Sequence, residues 1–163
     1  MKVNLGGIVD ISTIDWYGKS AMVVFFNGCP FRCPYCQNYK LLDKVNFVDI
    51  EEVEKKILES KSFISSIVFS GGEATMQFDA LEYLAKFAKD LGLLVGIETN
   101  GYYPDRLESL INKRLVDKIF LDIKAPLDDY GEYHMLTGLK DAAPRVYESL
   151  RLVLPNGSPM EVR

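Results

Sequence analysis

Ala21-Met22-Val23-Val24-Phe25-Phe26 is a continuous apolar run of strand length. A run without polar alternation is what a strand buried on both faces needs. Directly after it comes Asn27-Gly28-Cys29-Pro30-Phe31-Arg32-Cys33-Pro34-Tyr35-Cys36. Gly28 ahead of the first cysteine, with Pro30 and Pro34 between the cysteines, favours a tight, non-helical loop. A buried strand that empties into such a loop sets the pattern for the rest of the chain.

Outward from it, short β-rich runs alternate with amphipathic helices. Residues 49–60 read as a helix, with Ile50, Val53, Ile57 and Leu58 on one face and Asp49 with Glu52 as a capping box. Residues 65–70 are the next strand. The helix after it carries Leu81, Leu84, Ala85, Ala88 and Leu91 on one side, with Gly92 placed to end it. Residues 93–98 form a third strand, and Pro104 opens a helix that turns Leu107, Leu110 and Ile111 inward. Residues 118–123 are a fourth strand, residues 141–154 a fourth helix stopped by Pro155 and Gly157, and residues 160–163 begin a fifth strand.

Strands that alternate with helices imply βαβ units, hence an α/β fold with parallel strands. Crossovers of one hand curl the sheet toward a partial (β/α) barrel, since the units are too few for a closed eight-stranded one. Residues 3–11, with Gly6-Gly7, are expected to add a short N-terminal hairpin. With no repeat, low-complexity stretch or linker, residues 1–163 read as one domain. The chain stops at Val162-Arg163 with no terminating signal, so a fragment of a longer protein is expected.

The 163 residues are 48% hydrophobic and 26% charged, an ordinary composition for a globular chain that needs no disulfide staples. Lys and Arg number 19 against 23 Asp and Glu, a net charge of -4 that argues against a nucleic-acid backbone as main partner. No apolar run approaches the roughly 20 residues that span a bilayer. The N-terminus lacks the pattern of a signal peptide. A cytoplasmic protein without membrane or nucleic-acid partners is the expectation.

All three cysteines lie in the one loop, spaced C-x3-C-x2-C, a poor disulfide framework and a good metal or redox site. Three thiolates there can hold three corners of an iron–sulfur cluster and leave one iron open. A structural zinc site wants four ligands, and the lone His134 is far along the chain. Structural zinc and three incidental buried thiols are the plainer alternatives. The following strands end in Ser70-Gly71-Gly72-Glu73, in Glu98-Thr99-Asn100-Gly101 and in Asp122-Ile123-Lys124. Two glycines allow close backbone approach or positive φ, and alternation sets Asp122 and Lys124 on one face. Taken singly, the clusters have a dull reading, such as a Glu98–Lys124 ion pair closing the barrel top. Four consecutive strands that each end in a polar or cysteine cluster point to an enzyme site at the C-terminal edge of the sheet.

C-x3-C-x2-C with Tyr35 before its last cysteine, followed by GGE, resembles the radical S-adenosylmethionine superfamily. The run GCPFRCPYCQN (residues 28–38), with TNG and D-I-K, is similar to the glycyl-radical-enzyme activating enzymes, which include activators of pyruvate formate-lyase and anaerobic ribonucleotide reductase. Asp15-Trp16-Tyr17-Gly18 resembles the D-x-P-G segment found there, with Tyr17 where Pro is common. The resemblance implies that Cys29, Cys33 and Cys36 hold a [4Fe–4S] cluster whose open iron chelates S-adenosylmethionine. It implies Tyr35 and Gln37 at adenine, with Gln37 where His is common. Gly71, Gly72 and Glu73 would meet the methionine amino group. Asp122, Ile123 and Lys124 would lie along the methionyl and ribose parts, with Lys124 on the carboxylate. Glu98, Thr99 and Asn100 match the third-strand segment beside the cofactor, where some activators hold a monovalent cation, with Glu98 where Asp is usual. Arg163 matches a fifth-strand cofactor contact, and the His134 loop is read as structural.

The implied activity is reductive cleavage of S-adenosylmethionine to a 5′-deoxyadenosyl radical that takes hydrogen from a glycine of a partner glycyl radical enzyme. The implied electron donor is a low-potential protein such as flavodoxin or ferredoxin. Two alternatives stand beside this: a radical enzyme acting on a small molecule such as a deazapurine precursor, and a non-enzymatic zinc-binding interaction module.

Overall fold

The computed structural model describes residues 1–154 and 160–162. In chain order the strands are β1 (Lys2–Ser12), β2 (Ala21–Phe26), β3 (Phe47–Asp49), β4 (Ser66–Gly71), β5 (Leu94–Thr99), β6 (Lys118–Leu121) and β7 (Met160–Val162). The helices are α1 (Ile50–Ser60), α2 (Phe78–Asp90), α3 (Pro104–Asn112), α4 (Tyr130–Thr137) and α5 (Ala142–Val153), with short 3-10 turns at Tyr39–Leu41 and Ala74–Gln77. The strands form one seven-stranded sheet in the order β3-β1-β2-β4-β5-β6-β7. β2, β4, β5, β6 and β7 run parallel, so the expected α/β architecture with an open, partial barrel is what forms.

The apolar runs lack polar alternation because both faces of the sheet are covered. On the outer face, Met22, Val24, Ile67, Phe69, Val95 and Ile97 pack against Val53 and Ile57 of α1 and Leu81, Leu84 and Ala88 of α2. On the inner face, Ala21, Val23, Val68 and Phe120 close around Trp16, which the loop between β1 and β2 inserts among them. Trp16 meets Phe120 edge-on with ring centroids 5.9 Å apart. Gly96 makes room for it, since a Cβ there would lie 3.0 Å from the indole. The inner face is thus filled at its lower end, and space remains only near the C-terminal ends of the strands.

Several boundaries differ from the sequence expectation. No hairpin forms within residues 3–11. They are part of the single strand β1, antiparallel to β2, and Gly6 lies at a register shift between Leu5 and Gly7 rather than at a turn. β3 pairs with Lys2–Asn4 of β1, and three residues held by that pairing carry no periodic signal of their own. Asp49 does precede α1, but its side chain makes no cap bond and instead pairs with Lys2 at 3.0 Å. Leu58 is exposed, one step beyond the buried face. β6 ends at Leu121, so Asp122 to Lys124 leave the sheet as a loop.

α4 occupies a stretch around His134 that reads as a loop. Asp129 caps it by accepting from the Glu132 N–H, and Gly138 ends it at φ +81. Only Tyr133 and Thr137 of this helix are buried, too few to show a period. The expected helix stop at Pro155 and Gly157, and Arg163, lie outside the described residues. Among the described residues, no helix is long and apolar enough to cross a membrane.

Candidate functional site

The cysteine loop is fastened largely through backbone groups and the Arg32 side chain rather than through its thiols. Gly28 N–H donates to the Leu41 carbonyl at 2.8 Å, and Arg32 N–H to the Thr137 carbonyl of α4 at 2.9 Å. The Arg32 guanidinium turns back on its own loop, donating to the carbonyls of Cys29 at 2.5 Å and Phe31 at 2.9 Å, and pairs with Asp43. Phe31, almost fully buried, anchors the loop edge-on against Tyr102 at 5.6 Å. All three cysteines are free thiols, Cys29 buried and Cys33 and Cys36 half-buried. Burial, reinforced by the charge of Glu73, pushes the Cys29 thiol up to about 12. Burial also raises Cys33, against the opposing pull of Lys124.

The Gly71-Gly72 pair is demanded first by packing. Gly72 N–H donates to Phe26 O and Glu73 N–H to Gly28 O, both at 2.9 Å, so the exit of β4 lies against the exit of β2. Gly71 has φ +125, and a Cβ on it would lie 2.2 Å from Phe26 O. At Gly72 a Cβ would lie 2.2 Å from Gly28 O. The two glycines let the GGE segment rest on the root of the cysteine loop.

Glu73 points away from the open side. Its carboxylate is 1% exposed and accepts from Thr75 N at 3.0 Å, Thr75 Oγ1 at 2.5 Å, Thr99 Oγ1 at 2.8 Å and Asn100 N at 2.7 Å. It stitches the exit of β4 to that of β5, and burial raises its pKa despite these donors. Asn100 completes the stitch: its Oδ1 accepts from Tyr102 N at 3.0 Å and its Nδ2 lies 3.5 Å from Cys29 Sγ.

At the exit of β6, Lys124 Nζ is paired with Asp122. Burial alone would lower the lysine, but the bond and charge of Asp122 outweigh it and raise it. Glu98 accepts from Ser70 Oγ at 2.5 Å. Tyr133 of α4 accepts from Lys124 N–H at 3.3 Å, and Tyr35 OH donates to the Lys124 carbonyl at 3.3 Å. Burial pushes the Tyr133 hydroxyl up to about 12. Tyr133→Phe removes one buried acceptor and is expected to cost about 0.5–1.5 kcal/mol in urea unfolding. An unchanged midpoint would show that the bond carries no net stability.

These exits surround a cavity of about 390 Å³, within the range of small-molecule sites. Cys29, Cys33 and Cys36 line it, with Tyr35 and Gln37 of the same loop. Gly71 and Gly72 line it from β4, Glu98, Thr99 and Asn100 from β5, and Asp122 and Lys124 from β6. Of the residues expected from sequence, Glu73 and Ile123 do not line it. Ile123 instead packs among apolar neighbours that include Tyr133 and Leu121. Asn38, Ser70, Phe31, Leu42 and Phe120 complete the wall. Phe120 was legible in principle, since alternation places it on the same face as Asp122.

Among the described residues, no three His, Cys, Asp or Glu side chains converge as the ligands of one metal ion. A tetrahedral zinc site needs such convergence, at about 2.0–2.3 Å from a single centre. An iron–sulfur cluster asks for something else: thiols ringed around a cavity, each meeting a different iron. The donor set fits that demand. A thiol that burial keeps neutral gives up its proton when a metal centre supplies the compensating charge.

The radical SAM superfamily model matches residues 23–162, and the chain belongs to that superfamily. Its members use a [4Fe–4S] cluster and S-adenosylmethionine. A Methanocaldococcus jannaschii protein that carries the name of a glycyl-radical enzyme activating enzyme is 42% identical over 82% of this chain and 55% of its own length. The pyruvate formate-lyase-activating enzyme of Clostridium pasteurianum is 35% identical over 71% of this chain and 50% of its own. The chain therefore spans about half the length of the curated relatives it matches. Among solved structures, anSMEcpe with bound AdoMet and a Cp18Cys peptide has a TM-score of 0.62 at 19% identity, over 83% of this chain and 39% of that one. QueE from Escherichia coli has a TM-score of 0.53 at 15% identity, over 100% of this chain and 94% of that one. Both likenesses are of fold.

Proposed function

We propose that residues 1–163 are a radical S-adenosylmethionine domain of a cytoplasmic glycyl-radical-enzyme activating enzyme. The observation that carries this is the convergence of three free thiols and the polar exits of β4, β5 and β6 on one cavity. The 42% identical relative supports the choice of an activating enzyme within the superfamily. Cys29, Cys33 and Cys36 would hold the cluster. Reduced by one electron from a low-potential donor, the bound cluster would supply the electron that cleaves S-adenosylmethionine to methionine and a 5′-deoxyadenosyl radical, for transfer of hydrogen from a backbone glycine of a partner protein to give 5′-deoxyadenosine.

The chain's own residues bind, orient and shield. Gly71 and Gly72 bring bare backbone to the cavity wall, where carbonyl oxygens can accept from an amino group. Lys124 is a cation at the rim, already steered by Asp122 and suited to a carboxylate. Tyr35, half-exposed and tied to the Lys124 carbonyl, offers a ring beside the last cysteine for a flat base. Phe31, Leu42 and Phe120 supply apolar wall that limits water.

Lys124→Ala is expected to leave cluster content unchanged and weaken S-adenosylmethionine binding about 10- to 100-fold, the worth of a hydrogen bond to a charged group. Calorimetric titration of the reconstituted protein measures it, and unchanged affinity would remove Lys124 from the site. The activase reading is tested by incubating the reduced protein with S-adenosylmethionine and a pyruvate formate-lyase-type polypeptide. A glycyl radical signal in EPR supports it. Cleavage of S-adenosylmethionine with no such signal on any glycyl radical enzyme offered, together with turnover of a deazapurine precursor, would move the assignment to the small-molecule reading.

A further inference from the structure

Asn100 is 6% exposed, lines the cavity, and aims its side-chain amide at the sulfur of Cys29 at 3.5 Å. The orientation of that amide is fixed from two sides. Its Oδ1 accepts the Tyr102 N–H at 3.0 Å, a bond only the oxygen can make, so the NH2 group must face the sulfur. Its backbone N–H is held at 2.7 Å by Glu73, whose carboxylate is itself locked by Thr75 and Thr99. Behind it, Gly101 at φ +73 closes the turn, and its carbonyl accepts from the buried Ser149 of α5 at 2.6 Å. The donor is therefore set in place before any ligand arrives.

We propose that the Asn100 side chain raises the reduction potential of the cluster, by donating a hydrogen bond to the Cys29 sulfur. This rests on the reading of Cys29 as a cluster ligand. Adding an electron increases negative charge on the cluster sulfurs, so an aimed N–H stabilises the reduced form more than the oxidised one. Hydrogen bonds to sulfur are among the levers that set such potentials. The Phe31 backbone N–H also donates to the Cys29 sulfur, so Asn100 adds a side-chain donor to that backbone one. Glu73 is a buried carboxylate whose charge opposes reduction, and Arg32 donates to carbonyls and to Asp43.

The test is an anaerobic, EPR-monitored titration of the full chain with dithionite, without S-adenosylmethionine, comparing the parent with Asn100→Ala and Asn100→Asp. At the parent's midpoint, Asn100→Ala is expected to show an about tenfold lower ratio of reduced to oxidised cluster. That corresponds to about 59 mV toward lower potential for one electron. Asn100→Asp keeps the acceptor for Tyr102 N–H, loses the donor and adds charge, so its shift is larger in the same direction. After exchange into D2O, pulsed EPR of the reduced cluster is expected to show deuterium coupling that is diminished in both variants.

An alanine variant with full cluster content, the parent's potential and undiminished coupling overturns the proposal. If the alanine variant loses cluster because its turn fails, the aspartate variant decides by the same two readings. A parent protein that takes up no cluster overturns the cysteine assignment and this proposal together. Equal potentials with full clusters count against Asn100 alone.

Discussion

Cys33→Ala is expected to give a folded protein that takes up no [4Fe–4S] cluster and releases no 5′-deoxyadenosine. The fold should survive because nothing that fastens the loop uses the thiol. Gly28 and Arg32 are held through backbone bonds to Leu41 and Thr137, and the Cys36 N–H still finds the carbonyl of residue 33. The loss should be complete because the chain contains only three cysteines and no replacement thiol. Iron and sulfide analysis with visible absorption measures the uptake, and far-UV circular dichroism checks the fold. Full cluster occupancy without Cys33 would contradict the ligand assignment.

Gly71→Ala is expected to be strongly damaging to stability although it removes no side-chain group from the cavity. A methyl group there meets Phe26 O at 2.2 Å, in a strand whose backbone is pinned on both sides, and φ +125 is hostile to any L side chain. Strain at such a φ costs about 1–3 kcal/mol, and overpacking another 1–3 or so. The sum, about 2–6 kcal/mol, is a large part of the roughly 5–15 kcal/mol that holds a domain together. Gly7→Ala is the control: no atom lies within 4 Å of its Cβ position and its φ is not positive. It should shift stability by no more than about 0.5 kcal/mol. Urea unfolding of the pair decides. Equal midpoints would show that the exits of β2 and β4 can part without cost.

The parallel strands were legible because both their faces are buried, which leaves unbroken apolar runs such as Ala21–Phe26. The cysteine loop was legible because thiols at that spacing have few other uses. What escaped depended on partners rather than on local pattern. β3 exists because Lys2–Asn4 of β1 offers it an edge. α4 is announced by the Asp129 cap, but its two buried residues are too few to reveal a period.

Glu73 shows the limit most clearly. Its place after Gly-Gly marks it as part of the site, but which way its carboxylate turns is set by Thr75, Thr99 and Asn100, the last two at the exit of another strand. It serves as the joint between two strand exits. Asn100 then becomes the residue whose side chain faces a cysteine sulfur. Trp16 likewise sits in a motif segment, while its packing role depends on the absent side chain of Gly96.

The most direct test of the central claim is anaerobic reconstitution with iron and sulfide, followed by reduction with dithionite in the presence of S-adenosylmethionine and quantification of 5′-deoxyadenosine. The assignment predicts a brown protein that forms 5′-deoxyadenosine, with the product lost when any of Cys29, Cys33 or Cys36 is replaced by alanine. A colourless protein that binds one zinc ion and leaves S-adenosylmethionine intact would contradict it.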